Sequence, residues 1–233
     1  MGDGRMKQTE LEQIQTKWLT EIMATPFVQG IRTGDLSQAS RDYYVAQDAH
    51  YVGHFEALLA QTMQQLPPTL RRRAAVTADE ADAHLGLQPS ERYHQIDPAP
   101  HNLAYLAHLD QTVQLGDPLA SMLALLPCTE SYGLIAQKLA QAGVAPGGYT
   151  DWVAYYVGDA YQSAVTWSGA TVAQLLQQSQ LATIDYAGIY ATSYQHELTF
   201  LQMAENQLLN KIFHATIKLS CEVPVRRCLI CRL

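Results

Sequence analysis

Apolar residues recur at three- and four-residue steps along most of the chain, and that period predicts helices. From Thr9 to Met23 the stripe is Leu11, Ile14, Trp18, Leu19 and Ile22, and Pro26 ends or bends it. PFVQGIRTGDL follows with a proline and two glycines, after which Asp35 or Ser37 can cap a second, long helix. That helix runs through YYVAQDAHYVGHFEALLAQTMQQL to Pro67 and Pro68. A third helical stretch covers about Leu70 to Leu85. A loop with Pro89, Pro98 and Pro100 then leads to HNLAYLAHLDQTVQLG, again at helical spacing.

Asp117 is placed to cap PLASMLALLPCTESYGLIAQKLAQAG, with Pro118 in the first turn and Gly143 as the stop. Pro127 lies inside this run, where a missing amide predicts a kink or a restart. DWVAYYVGDAYQSAVTW comes next, then Ser168 and Gly169, then a last long pattern from about Val172 to Phe213. No short alternating runs sit between hairpin turns, so the expected class is all-α, a single domain of about seven or eight helices.

Charge and cysteine use narrow the function classes. A formal charge of −7, from 22 acidic and 15 basic residues, opposes the electropositive face of a direct nucleic-acid binder. No run reaches about 18 uninterrupted apolar residues, and MGDGRMKQTELEQ lacks the apolar core of a signal peptide, so the expectation is a cytoplasmic protein off the membrane. Residues 217–233, IKLSCEVPVRRCLICRL, read as an atypical basic, Cys-rich tail, disordered or non-native. Its Cys221, Cys228 and Cys231 have only His214 nearby, a poor set for a closed zinc site.

Cys128 is therefore the one cysteine in the body of the chain, and it is either core filler or a reactive thiol. Tyr132 lies one turn on, on the same face. Tyr44, Asp48, Tyr51 and Phe55 set a carboxyl within an aromatic stripe, and Tyr194, Glu197, Phe200 and Ala204 repeat the arrangement. A carboxyl among aromatics must be hydrogen-bonded or paired, or its pKa rises. With 13 tyrosines against four phenylalanines, the chain favours rings with a polar handle, as a pocket for a flat heterocycle would.

Taken in order, GIRTGDL, YYVAQDAHYVGHF, AYLAH, LPCTESYG, YTDWVAYYVGDAY and ATSYQHELTFLQMA resemble the TenA or thiaminase II family, the aminopyrimidine aminohydrolases. The resemblance implies a heme-oxygenase-like helical domain over residues 7–216, a homotetramer, and no metal or organic cofactor. It implies Cys128 as nucleophile and Glu197 as acid and base. Asp48, which follows Gln47, would bind the aminopyrimidine edge, and Tyr51, Tyr105, Tyr132, Tyr156 and Phe200 would form the walls. The implied reaction displaces ammonia or a thiazole from the methylene carbon of a 4-amino-2-methylpyrimidine, acting on the 5-aminomethyl compound or on thiamine.

Two departures from that pattern leave substrate preference open. Thr129, Glu130 and Ser131 follow the cysteine where many relatives carry bulky aromatics, and Leu201 stands where Trp is common. Glu130 reads as a solvated helix residue in preference to a third carboxyl at the pocket rim. Two other classes compete. Metal-dependent oxidation needs a repeated Glu-x-x-His pair that is missing, and His50 with His54 reads as surface or packing. A regulatory or binding protein is the other alternative.

Overall fold

The computed structural model describes residues 7–71, 97–146, 149–179 and 183–221, from residue 206 onward by backbone alone. The described residues form eight α-helices and no strand. They are α1 (Gln8–Met23), α2 (Pro26–Thr33), α3 (Gln38–Gln65), α4 (Pro100–Val113), α5 (Pro118–Ala142), α6 (Thr150–Val157), α7 (Asp159–Gln178) and α8 (Tyr186–Cys221). The helical stretch expected over 70–85 lies almost wholly outside the described residues, as do residues 222–233 of the expected tail. Residues 217–221 continue α8 without a break.

Local chemistry sets several of the ends. Ser37 caps α3 by accepting from the Ser40 amide at 3.0 Å, and Asp117 caps α5 by accepting from the Ala120 amide at 2.8 Å. Gly143 ends α5 at a φ of 84°, a conformation that costs a residue with a Cβ.

The structure sharpens three places. PFVQGIRTGDL, read from sequence only as a proline and two glycines ahead of the long helix, holds a helix of its own. Pro26 begins α2, because Thr25 accepts from the Val28 amide and proline suits a first turn, and Phe27, Val28 and Ile31 bury the resulting face. Of the kink or restart expected at Pro127, the restart is not seen: α5 runs as one helix from Pro118 to Ala142, since proline removes one amide while burial on both sides of it holds the rest of the ladder. The last long pattern is two helices: α7 ends at Gln178, before an extended Ser179, and α8 begins at Tyr186, where Asp185 accepts from the Gly188 amide at 2.9 Å. Ser168 and Gly169 sit inside α7.

Helix α5 packs on α1, α3, α4, α6, α7 and α8, and α8 packs on α1, α2, α3, α4 and α5. The two form the centre of the bundle. By length and apolar composition α5 could cross a membrane, yet 83% of its most apolar stretch is buried within the fold, so a core role accounts for its composition. Leu119, Leu123, Leu126, Ile135 and Leu139 are its inward side chains, each contributing about 1.5–3 kcal/mol when fully buried. Cys128 is on α5 and Glu197 is on α8, so both project from the most enclosed helices.

Candidate active site

A cavity opens among α3, α4, α5, α6, α7 and α8 and holds about 1160 Å³ of space, counting solvent in its mouth. Asp48, Tyr51, Tyr105, Cys128, Tyr132, Tyr156, Glu197 and Phe200 all line it. Helical geometry explains the grouping within each element. Asp48 and Tyr51 are three apart, Cys128 and Tyr132 four apart, and Glu197 and Phe200 three apart, so each pair shares a face. The fold then turns those faces toward one space.

Tyr105 donates its hydroxyl to Glu197 Oε1 at 2.6 Å, joining residues 92 apart in sequence, and the carboxyl is 3% exposed. The ring of Tyr105 lies 5.0 Å from that of Tyr51, and Tyr51 lies 6.2 Å from Phe200. A second aromatic group forms where Tyr132 meets Tyr156 at 5.2 Å and Tyr156 meets Tyr161 edge-on at 4.8 Å. Cys128 is a half-buried reduced thiol.

Burial pushes Asp48 from its ordinary 3.8 up to about 7, so near neutrality it exists in both forms. Tyr51, Tyr105 and Tyr132 are held well above the ordinary phenol value, first by burial. For Tyr51 and Tyr105 the nearby Cys128 and Glu197 add to this, and for Tyr132 the nearby Tyr44, Glu197 and Asp48 do. These hydroxyls therefore remain donors at neutral pH.

The full aromatic stripes do not all reach the cavity. Tyr44 is buried behind it, 4.8 Å from Phe27 and 5.8 Å from Phe200. Tyr194 turns away and donates to Glu130 at 2.8 Å. Glu130 itself is corrected: it is neither solvated nor at the cavity rim. It is 6% exposed and bonded by Gln15, Tyr190 and Tyr194, because α1 and α8 close over that face of α5. Cys128 sits inside α5, not at a helix start, and shares its cavity with the hydroxyls and carboxyls of the lining.

Sequence reasoning missed several contributors. Tyr161, Trp167 and Ser168 bring one face of α7 to the cavity, a face whose spacing was visible but lacked a distinctive residue. Gln47, quoted only as the neighbour of Asp48, is fully buried. Its side chain accepts from the Ala99 amide at 2.8 Å and donates to the Asp97 carbonyl at 3.0 Å, which fixes the start of the helix carrying Tyr105. His196 stacks on the ring of Tyr105 at 4.9 Å, and His108 bonds Ser193 at 2.9 Å. His50 and His54 are exposed, and His54 pairs with Asp110 at 2.9 Å. Among the described residues no three His, Cys, Asp or Glu side chains are grouped to hold a metal.

Known proteins share this arrangement at the level of chain and fold. Over 202 residues the chain is 30% identical to an aminopyrimidine aminohydrolase of Halalkalibacterium halodurans, spanning 78% of this chain and 88% of the relative. With an aminopyrimidine aminohydrolase of Bacillus subtilis it shares 27% identity over 67% of this chain and 71% of the other. The crystal structure of a TenA family transcription regulator from Silicibacter sp. TM1040 superposes with a TM-score of 0.72 at 24% identity, covering 88% of this chain and 99% of that one. Its likeness concerns the fold, the heme-oxygenase-like helical arrangement. Residues 11–207 match the model of the TENA/THI-4/PQQC family. The chain belongs to that family.

Proposed function

We propose that this protein is an aminopyrimidine aminohydrolase, a thiaminase II, that hydrolyses 4-amino-5-aminomethyl-2-methylpyrimidine, thiamine or both to the 5-hydroxymethylpyrimidine in thiamine salvage. One observation carries the reading: a thiol, a hydrogen-bonded carboxyl and a second carboxyl shifted to about 7 meet in one aromatic cavity. The identity to curated aminopyrimidine aminohydrolases supports it independently.

The parts suit the reaction. Asp48 in its protonated form offers an O–H to a ring nitrogen and a carbonyl oxygen to the exocyclic amino group, matching the aminopyrimidine edge. The aromatic groups enclose the faces of the ring. Cys128, as thiolate, forms a C–S bond to a ring carbon and moves an electron pair into the ring. That pair returns to expel the amine, protonated by Glu197, and breaks the methylene C–N bond. Glu197 then takes a proton from water as the water oxygen bonds to the methylene carbon. Scission of the C–S bond restores the thiolate and the aromatic ring, leaving the alcohol and ammonia. With thiamine the positively charged thiazolium nitrogen takes the C–N electron pair and leaves as neutral thiazole without protonation, so Glu197, as carboxylate, acts there only as the base toward water.

A homotetramer and a cytoplasmic setting complete the proposal, and a reducing compartment suits a thiol nucleophile. The deciding experiment is a product assay on the aminomethylpyrimidine and on thiamine with wild-type protein and Cys128→Ala. The variant is expected to fold normally and to lose about 10³-fold or more of kcat. Near wild-type turnover in Cys128→Ala overturns the mechanism, and failure of wild-type protein on both substrates overturns the function. Sedimentation tests the tetramer.

A further inference from the structure

Glu130 lies two residues after Cys128 on α5. Two residues rotate a helix by about 200°, so a thiol facing the cavity sends the Glu130 side chain to the opposite side. There three donors converge on it. Tyr194 donates to Oε1 at 2.8 Å, Tyr190 donates to the same oxygen, and Gln15 Nε2 donates to Oε2 at 2.9 Å. A carboxylate accepts only, and these three donors supply what it needs.

The donors come from two other helices. Gln15 is on α1, which contributes nothing to the cavity lining, and the two tyrosines are on α8. Tyr194 precedes Glu197 by three residues, and Tyr190 lies one turn earlier. The clamp thus grips α5 at the turn that carries the thiol and α8 at the turn that carries the acid. Apolar packing between these helices is non-directional and fixes their relative rotation weakly. Directed bonds to one buried carboxyl fix it strongly. Any rotation of α5 against α1 or α8 would strand buried donors, each costing about 1–3 kcal/mol, so the bonds hold this geometry in place.

We propose that Glu130 is a positioning residue, outside the cavity, that holds Cys128 and Glu197 in register through its bonds to Tyr190, Tyr194 and Gln15. This deepens the aminopyrimidine reading, resting on it for the turnover assay alone. A displacement of about 1 Å between reacting groups can cost about 100-fold in rate, so loss of the clamp acts on kcat. Asp48, Tyr51 and Tyr105 lie on α3 and α4, which the clamp does not bond, so KM changes far less than kcat.

The test compares Glu130→Leu, which removes all three bonds, with Glu130→Gln, whose amide oxygen still accepts from both tyrosines. Glu130→Leu is expected to lower kcat about tenfold or more with KM within about twofold, and Glu130→Gln to recover kcat to within about threefold of wild type. A second readout needs no substrate: the rate of iodoacetamide alkylation at Cys128, followed by peptide mass spectrometry, changes about threefold or more in Glu130→Leu and returns in Glu130→Gln. A folded Glu130→Leu protein with wild-type kcat and alkylation rate overturns the proposal, as does a kcat loss that only tracks lost folded protein. If Glu130→Leu does not fold, Tyr194→Phe decides by the same criteria, with an unchanged kcat and alkylation rate counting against the clamp. Should wild-type protein fail on both pyrimidines while the alkylation shift is present, the function falls and the positioning role stands.

Discussion

The Tyr105 hydroxyl donates to Glu197 Oε1 across 2.6 Å, a bond between α4 and α8 at the wall of the cavity. It orients a carboxyl that is 3% exposed and lines the same cavity as Cys128. Tyr105→Phe removes the donor and keeps the ring. The expected loss in kcat is about tenfold to hundredfold, from about 1.5–3 kcal/mol for a hydrogen bond to a charged group. Glu197→Gln is expected to lose about 10²–10⁴-fold, and the double variant no more than Glu197→Gln alone, because the tyrosine acts through the carboxyl. Steady-state kinetics of the three variants provide the check, and additive losses would show independent action.

Asp48 gives a pH prediction. Burial raises it from 3.8 to about 7, and its protonated form matches the aminopyrimidine edge. Binding through that form makes kcat/KM fall as pH rises through about 7. Asp48→Asn offers the same donor and acceptor at every pH, so its profile is expected to be flat across that window. A pH series of kcat/KM for both proteins decides, and an unchanged fall in Asp48→Asn assigns the effect to another group.

Glu130 links pH to stability. Burial raises it from 4.5 to about 7, with its bonds to Tyr190, Tyr194 and Gln15 opposing part of the shift. Between those values the folded chain holds more protons than the unfolded chain, so stability falls as pH rises. The contribution is fully present below about 4.5 and is lost as pH passes about 7. Asp48 acts in the same direction. Urea unfolding from pH 4.5 to 8 is expected to show a flatter stability curve for Glu130→Gln than for wild type, and parallel curves would reject the assignment.

Gly133 tests the packing of α5 on α7. A Cβ there would stand 2.9 Å from Val165 Cγ2 and 3.1 Å from Gln162 Nε2. The glutamine can swing aside, but valine is stiff at χ1. Gly133→Ala gains helix propensity of about 1 kcal/mol, and the overpacking cost of about 1–3 kcal/mol exceeds it. Thermal unfolding is expected to show a lower midpoint, and a raised midpoint would mean that α7 yields at little cost.

Much of the site was legible because its residues are grouped within helices. Asp48 with Tyr51, Cys128 with Tyr132 and Glu197 with Phe200 each announce a shared face through spacing, Tyr105 and Tyr156 were given by the family resemblance alone, and all eight line the cavity. Glu130 was misread because the same spacing rule says which way a residue points from its own helix and not what meets it there. Only the approach of α1 and α8 makes that position buried.

By itself, then, the sequence determined the helical class, the capped start at Asp117, a start of the long helix at Asp35 or Ser37, and the amphipathic faces, since these depend on groups within a turn or two of one another. Tertiary structure alone decided that Tyr105 meets Glu197, that Tyr194 turns to Glu130 while Glu197 turns to the cavity, and that Asp48 sits where burial raises it to about 7. Those outcomes depend on desolvation and on hydrogen bonds between groups some 60 to 90 residues apart, which no local period encodes.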